Sequence, residues 1–145
     1  MNAYKLLKDR QQKEMNAFPL GAAFSNSQFE EMMQKLGLTV NDTDKICSIG
    51  GGCYLRKTDR TAFTDMIKRF EREKAEAMEK DPSGDGFIYD MFLYELANHE
   101  YCVTYELDDT LYAVGLTEEQ IRADKRLLHG LNKAIKDYLK NAENY

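Results

Sequence analysis

Hydrophobic and polar positions along this chain follow two different periods, and the change between them is sharpest in residues 87–116, FIYDMFLYELANHEYCVTYELDDTLYAVGL. Over residues 87–99 the apolar side chains Phe87, Ile88, Met91, Phe92, Tyr94, Leu96 and Ala97 return at three- and four-residue steps, the spacing of a helix face. From Tyr101 the pattern becomes alternation, with Tyr101, Val103 and Tyr105 on one side and Cys102 and Thr104 on the other, and predicts a strand over 101–106. The remaining segments are expected to cover this helix and strand.

Ahead of it, residues 3–17 predict a helix whose narrow apolar face holds Tyr4, Leu7 and Met15, with Phe18 just beyond. Pro19 ends it, because the residue before a proline is pushed out of the α region, and its thin face places it at the periphery. Residues 20–24, LGAAF, are too short a run for a helix and read as a strand. Ser27 and Glu30 fit a capping box opening a helix with Phe29, Met32, Met33 and Leu36 inward and Gly37 as its stop. Residues 46–49 and 53–56 flank Gly50, Gly51 and Gly52 and predict a β-hairpin, since glycine accepts the positive φ of a tight turn. A long helix capped by Thr58 or Asp59 runs to about Lys80, with Phe63, Met66, Ile67, Phe70, Ala77 and Met78 inward, and its highly charged second half is expected to project. Residues 81–86 are a loop by composition. Beyond the central stretch, Thr110 to Val114 give one or two helical turns closed by Gly115. Thr117 and Gln120 then form a second capping box, and a final helix runs to about Ala142 with Ile121, Leu128, Leu131, Ile135 and Leu139 inward and a bend expected at Gly130.

These elements make an α+β fold: a small, mainly antiparallel sheet of three or four short strands with a β-hairpin, covered by about five helices, in a single domain over 1–145. A chain of 145 residues buries roughly 68–70 % of its unfolded surface, so no metal or disulfide is required to staple it. Three cysteines with no repeated spacing do not make a disulfide framework; Cys47 and Cys53 read as buried free thiols rather than a bridge across the hairpin, and the expected home is the cytoplasm. The N-terminus is charged every few residues and resembles neither a signal peptide nor an anchor. With 20 basic and 25 acidic residues the net charge is -5, which repels phosphate and gives no general footprint for direct nucleic-acid binding.

Four groups of residues could carry chemistry. Asp81, Ser83, Asp85 and Gly86 occupy the first positions of a calcium loop of the EF-hand type, but the twelfth position is Phe92 where a glutamate belongs, and a plain polar turn is the better reading. Gly50, Gly51 and Gly52 with Arg56, Lys57 and Arg60 suggest a small-ligand or nucleotide site, against a hairpin tip that leads into a strand rather than a helix. His99 beside Glu100 stands at a helix end, where the last carbonyls explain a histidine as well as acid-base chemistry does. Glu71, Glu73, Glu76 and Glu79, with Glu106, Asp108 and Asp109, form acidic clusters that serve solubility or imitate a nucleic-acid backbone for a basic partner. Of the nine tyrosines, Tyr4, Tyr112 and Tyr145 are expected as exposed contacts. No cofactor is implied, and residue chemistry alone assigns no reaction.

Three stretches taken together, residues 18–38 (FPLGAAFSNSQFEEMMQKLGL), 48–59 (SIGGGCYLRKTD) and 90–117 (DMFLYELANHEYCVTYELDDTLYAVGLT), resemble a family of small, largely uncharacterised proteins encoded by phages, prophages and other mobile elements of gut-type bacteria. The resemblance covers nearly the whole chain and carries over no catalytic or binding residue. It implies a non-enzymatic binding protein in the bacterial host cell, whose partner is a host protein such as a Cas nuclease or another defence factor. Inhibition in the manner of an anti-CRISPR protein, through the acidic residues, is the specific expectation, since such nucleases present basic channels. A structural or homo-oligomeric accessory protein is the alternative.

Overall fold

A computed structural model describes residues 1–143, so the expectation of an exposed Tyr145 lies outside the described residues. In chain order the elements are α1 (Ala3–Ala17), β1 (Leu20–Ala22), α2 (Asn26–Lys35), β2 (Ile46–Gly50), β3 (Cys53–Arg56), α3 (Arg60–Glu79), α4 (Phe87–Asn98), α5 (Tyr101–Thr104), α6 (Asp108–Val114), α7 (Glu118–Ala123) and α8 (Lys125–Ala142). Short 3-10 turns at Thr43–Lys45 and Lys57–Asp59 precede β2 and α3. The fold is α+β, mostly helical with one small antiparallel sheet. It comprises two compact units, one made of Met1–Arg10 and the chain from Glu73 onward, the other of Gln11–Arg72.

In the second unit the sheet has the order β1-β3-β2, both pairs antiparallel, with Leu20 opposite Leu55 and Cys47 also opposite Leu55 across the other edge. Gly50, Gly51 and Gly52 hold φ of 92°, 62° and 75°, the left-handed region that lets the chain reverse between β2 and β3 without a Cβ clash. Met32, Met33 and Leu36 of α2 and Ile46 of β2 are buried together, with Phe29 and Tyr54 packed edge to face at 6.1 Å.

The first unit is built on α4. Ile88, Met91, Phe92 and Leu96 have no exposed surface, and they pack with Val114, Ile121, Leu127, Leu131 and Ala134. Each such side chain contributes roughly 1.5–3 kcal/mol by leaving water. A carboxylate caps the base of this helix. Asp81, itself buried, accepts the backbone N–H groups of Gly84, Gly86 and Ile88 at 3.0–3.1 Å, which pins the loop before α4 and satisfies the Ile88 donor that the first turn of the helix leaves orphaned.

Several expectations give way to tertiary contacts. Residues 101–106 are not a strand: Tyr101–Thr104 form the single turn α5, closed by the Tyr105 N–H on the Tyr101 carbonyl at 2.8 Å. All three strands of the described residues belong to the other unit, while the Tyr101 ring packs at a tilt against Tyr138 and the Tyr138 hydroxyl reaches Cys102 Sγ, so packing on α8 overrides the strand propensity. The long final helix breaks at Asp124, not Gly130, because Asp124 turns extended and accepts the Arg126 N–H as the N-cap of α8. The cap of α2 is Ser25 rather than Ser27, and Gln28 accepts the Phe24 N–H in place of the expected Glu30 contact. The second half of α3 does not project: Lys74 donates to the Val114 carbonyl at the end of α6, and Met78 packs against the core. Tyr4 is buried rather than exposed, and Cys47 and Cys53 are half-buried free thiols rather than fully buried ones; Cys102 is likewise a half-buried free thiol. Among the described residues, no helix is long and apolar enough to cross a membrane.

Candidate functional site

One buried polar group gathers partners from two helices, and the sequence pattern hides it. Glu95 lies one turn beyond Met91 and Phe92 on the inward face of α4 and is fully buried. Its Oε1 accepts the Tyr4 hydroxyl at 2.8 Å and the Lys8 ammonium at 2.9 Å. Its Oε2 lies 3.4 Å from the Asn98 amide and 3.2 Å from His99 Nε2. Among the described residues, the buried His99 Nε2 makes no hydrogen bond. Burial pushes the Glu95 carboxyl up, but the bonds from Lys8 and Tyr4, the Lys8 charge and Asn98 outweigh it and hold the group below its usual range. The Tyr4 hydroxyl is raised well above the usual phenol range, by burial first and then by donating to Glu95.

The helical period explains how the cluster assembles. Tyr4 and Lys8 are four residues apart on α1, and Glu95 and His99 are four apart on α4, so each pair shares a helix face. Asp90, one turn earlier on α4, accepts the Ala3 N–H through its carboxylate and the Asn2 amide through its carbonyl, which caps the start of α1. Thr110, buried on α6, donates to the Glu95 carbonyl at 3.4 Å. A catalytic base needs a lone pair aimed at substrate, whereas both Glu95 oxygens face protein donors. The chemistry of this cluster is therefore attachment of α1 and α6 to α4. The sequence reading saw His99 but missed Glu95 and Lys8; a lone carboxylate at an otherwise apolar helical position was the available signal.

The loop candidate for calcium is spent in a different way. Asp81 turns both oxygens on backbone N–H groups, and Ser83 Oγ accepts the Asp85 N–H. Asp85 faces outward instead, 2.7 Å from His129 Nε2 and 3.2 Å from Lys133 Nζ, and these two neighbours lower its carboxyl below the usual range. Among the described residues no group of three or more His, Cys, Asp or Glu is placed to hold a metal ion. Oxygens aimed at backbone donors explain the spacing of this loop without a cation.

The glycine site separates into two ends. Gly52 begins the turn side of β3 and Arg56 ends the strand, so the glycines and the cations lie roughly 13 Å apart along the strand at ~3.3 Å per residue. Arg56 is held by Asp59 at 2.8 Å, whereas Lys57 and Arg60 are exposed. A cleft of about 250 Å³ does lie at that end, lined by Leu38, Asp44, Lys45, Arg56, Lys57 and Thr58.

The acidic candidates face solvent. Glu71, Glu76, Glu79, Glu106, Asp108 and Asp109 are exposed, while Glu73 is half-buried and paired with Arg10. Glu73, Glu76 and Glu79 step by three along α3 and share a stripe; Asp108 and Asp109 open α6, where the helix dipole favours them. Lys74 meets α6 at its far end, about 9 Å along the axis from Asp108 at 1.5 Å per residue, so the two clusters are not one continuous row at that contact. Glu71 falls in the other unit.

Residues 3–137 match the family of unknown function DUF7659. No curated protein and no solved structure matches the chain.

Proposed function

The chain belongs to the DUF7659 family, whose function is unknown, and we propose that it is a non-enzymatic binding protein of mobile-element origin that engages a basic surface on a host protein. The observation that carries this reading is how the carboxylates divide. Glu95 and Asp81 are buried and consumed by the fold, whereas Glu76, Glu79, Glu106, Asp108 and Asp109 stand in water on a chain of net charge -5. Exposed like charges cost solvation nothing and steer a basic partner at a distance. A defence nuclease whose channel binds guide and target is the specific partner class, supported by the resemblance to mobile-element proteins and by the chemistry of such channels.

The test is a tagged pull-down from a bacterial lysate with active defence systems, run beside a chain carrying Glu76→Lys, Glu79→Lys, Asp108→Lys and Asp109→Lys. Retention of one nuclease in stoichiometric amount, weakened by salt and lost in the charge-reversed chain, is the expected result. Capture or inhibition that survives charge reversal overturns the reading.

A second reading rests on the cleft beside Arg56 and Lys57, whose two cations suit the phosphate end of a small anionic ligand such as a nucleotide, the rest of which would lie outside so small a cleft. Thermal stabilisation by a nucleotide that disappears in the Arg56→Ala, Lys57→Ala chain supports it. Unchanged melting across a nucleotide panel removes it.

A further inference from the structure

An opening in the first unit lies beside the short helix α7. The side chains of α6, α7 and α8, with Leu107 just before α6, line a groove of about 250 Å³. Ile121 and Leu131 form its buried floor, Leu107, Leu111 and Ile135 its half-buried walls, and Leu128 stands at the mouth, 37 % exposed. This volume is below the roughly 300–1,000 Å³ typical of small-molecule sites, so it suits one or two protruding side chains better than a cofactor.

The rim carries an excess of carboxylates. Asp108 and Glu118 line it from α6 and α7, and the exposed Glu106, Asp109 and Glu119 follow on the same segments. Arg122 also lines the groove and is the i,i+4 partner of Glu118, so these two charges cancel and the acidic excess comes from Asp108 and its neighbours Glu106, Asp109 and Glu119. An apolar slot bordered by carboxylates complements an apolar anchor flanked by lysine or arginine, the pattern of an amphipathic helix laid into a groove.

We infer that this groove receives an aliphatic or aromatic anchor from a basic amphipathic helical segment of the partner protein. The inference rests on the acidic-surface reading and gives that surface its apolar contact. The acids steer the segment in, and the slot holds it.

The test titrates the full chain into a fluorescently labelled synthetic peptide with leucines at i, i+3 and i+7 and lysines at its other positions, and follows anisotropy. Replacing the peptide leucines by serine, or Leu128 by aspartate in the chain, should each weaken binding by at least about tenfold, the loss expected when one buried anchor is removed. Leu128 is already partly in water, and circular dichroism checks that Leu128→Asp folds; the serine peptide tests the slot without altering the protein. Equal binding of leucine and serine peptides overturns the groove while the acidic-surface reading stands. Failure of both peptides to bind also overturns the groove, and retention of a nuclease by the unaltered but not the charge-reversed chain then shows that the broader reading survives. A chain that sediments as a dimer and is dissociated by Leu128→Asp assigns the slot to a second copy and overturns the basic segment.

Discussion

Glu95 stands where the period of α4 calls for an apolar residue, and its environment decides what the substitution of that one group does. Glu95→Ala removes the acceptor of Tyr4 and Lys8. Because Lys8 remains 42 % exposed and keeps its water, the loss should be about 2–3 kcal/mol, below the cost of stranding a fully buried cation. Tyr4→Phe keeps the edge contacts with Phe87 and Tyr94 at 5.8 and 5.5 Å but deletes the donor, and should cost about 1.5–3 kcal/mol by urea denaturation. The pH dependence has a fixed sign. The folded Glu95 carboxyl is held below its ordinary value of 4.5, so its contribution is fully present above that pH and is lost as pH falls through the lower folded value. Urea midpoints for the unaltered chain and Glu95→Gln should therefore converge below about pH 4.5; a constant difference from pH 7 to pH 3 would show that the charge of Glu95 does not matter.

At the scale of elements, α8 is placed by a residue without a side chain. A Cβ on Gly130 would lie 2.7 Å from Ile88 Cγ2 and 2.8 Å from the Gly84 carbonyl, and a backbone oxygen in a capped loop cannot give way as a flexible side chain does. Alanine in a helix interior normally gains about 1 kcal/mol over glycine, but overpacking costs about 1–3 kcal/mol, so Gly130→Ala should destabilise on balance. A rise in melting temperature would show that α4 and α8 are not in close register. Asp81→Ala strips the acceptor from three backbone donors and should cost about 2–4 kcal/mol by the same urea measurement. The turn over 101–106 teaches the reverse lesson. Its alternating sequence satisfies a strand template, yet Glu100 and Tyr105 both hold left-handed φ, 52° and 55°, to bracket one helical turn. Non-glycine residues adopt that region only where surrounding contacts enforce it, and here those contacts include Tyr101 on Tyr105 and Tyr138.

For the whole molecule, the relevant property is an excess of five acidic charges on a surface where most of the candidate carboxylates are exposed. If these steer a basic partner, raising the salt concentration should slow association more than it speeds dissociation, because screening acts on the encounter and the apolar slot on residence. Surface plasmon resonance with the captured partner separates the two rates; an association rate indifferent to salt would argue against steering. The local pattern by itself determined the hairpin strands β2 and β3 and their glycine turn, the inward face of α4, and the capping box of Thr117 and Gln120, because each follows from neighbours within one helical turn or one hairpin. Tertiary structure alone decided the burial of Tyr4, the pairing of Lys8 with Glu95 across 87 positions of sequence, the use of Asp81 as a cap, the helical turn at 101–104 and the groove behind Leu128. These depend on which surfaces meet in space, and a contact between distant positions leaves no periodic trace along the chain.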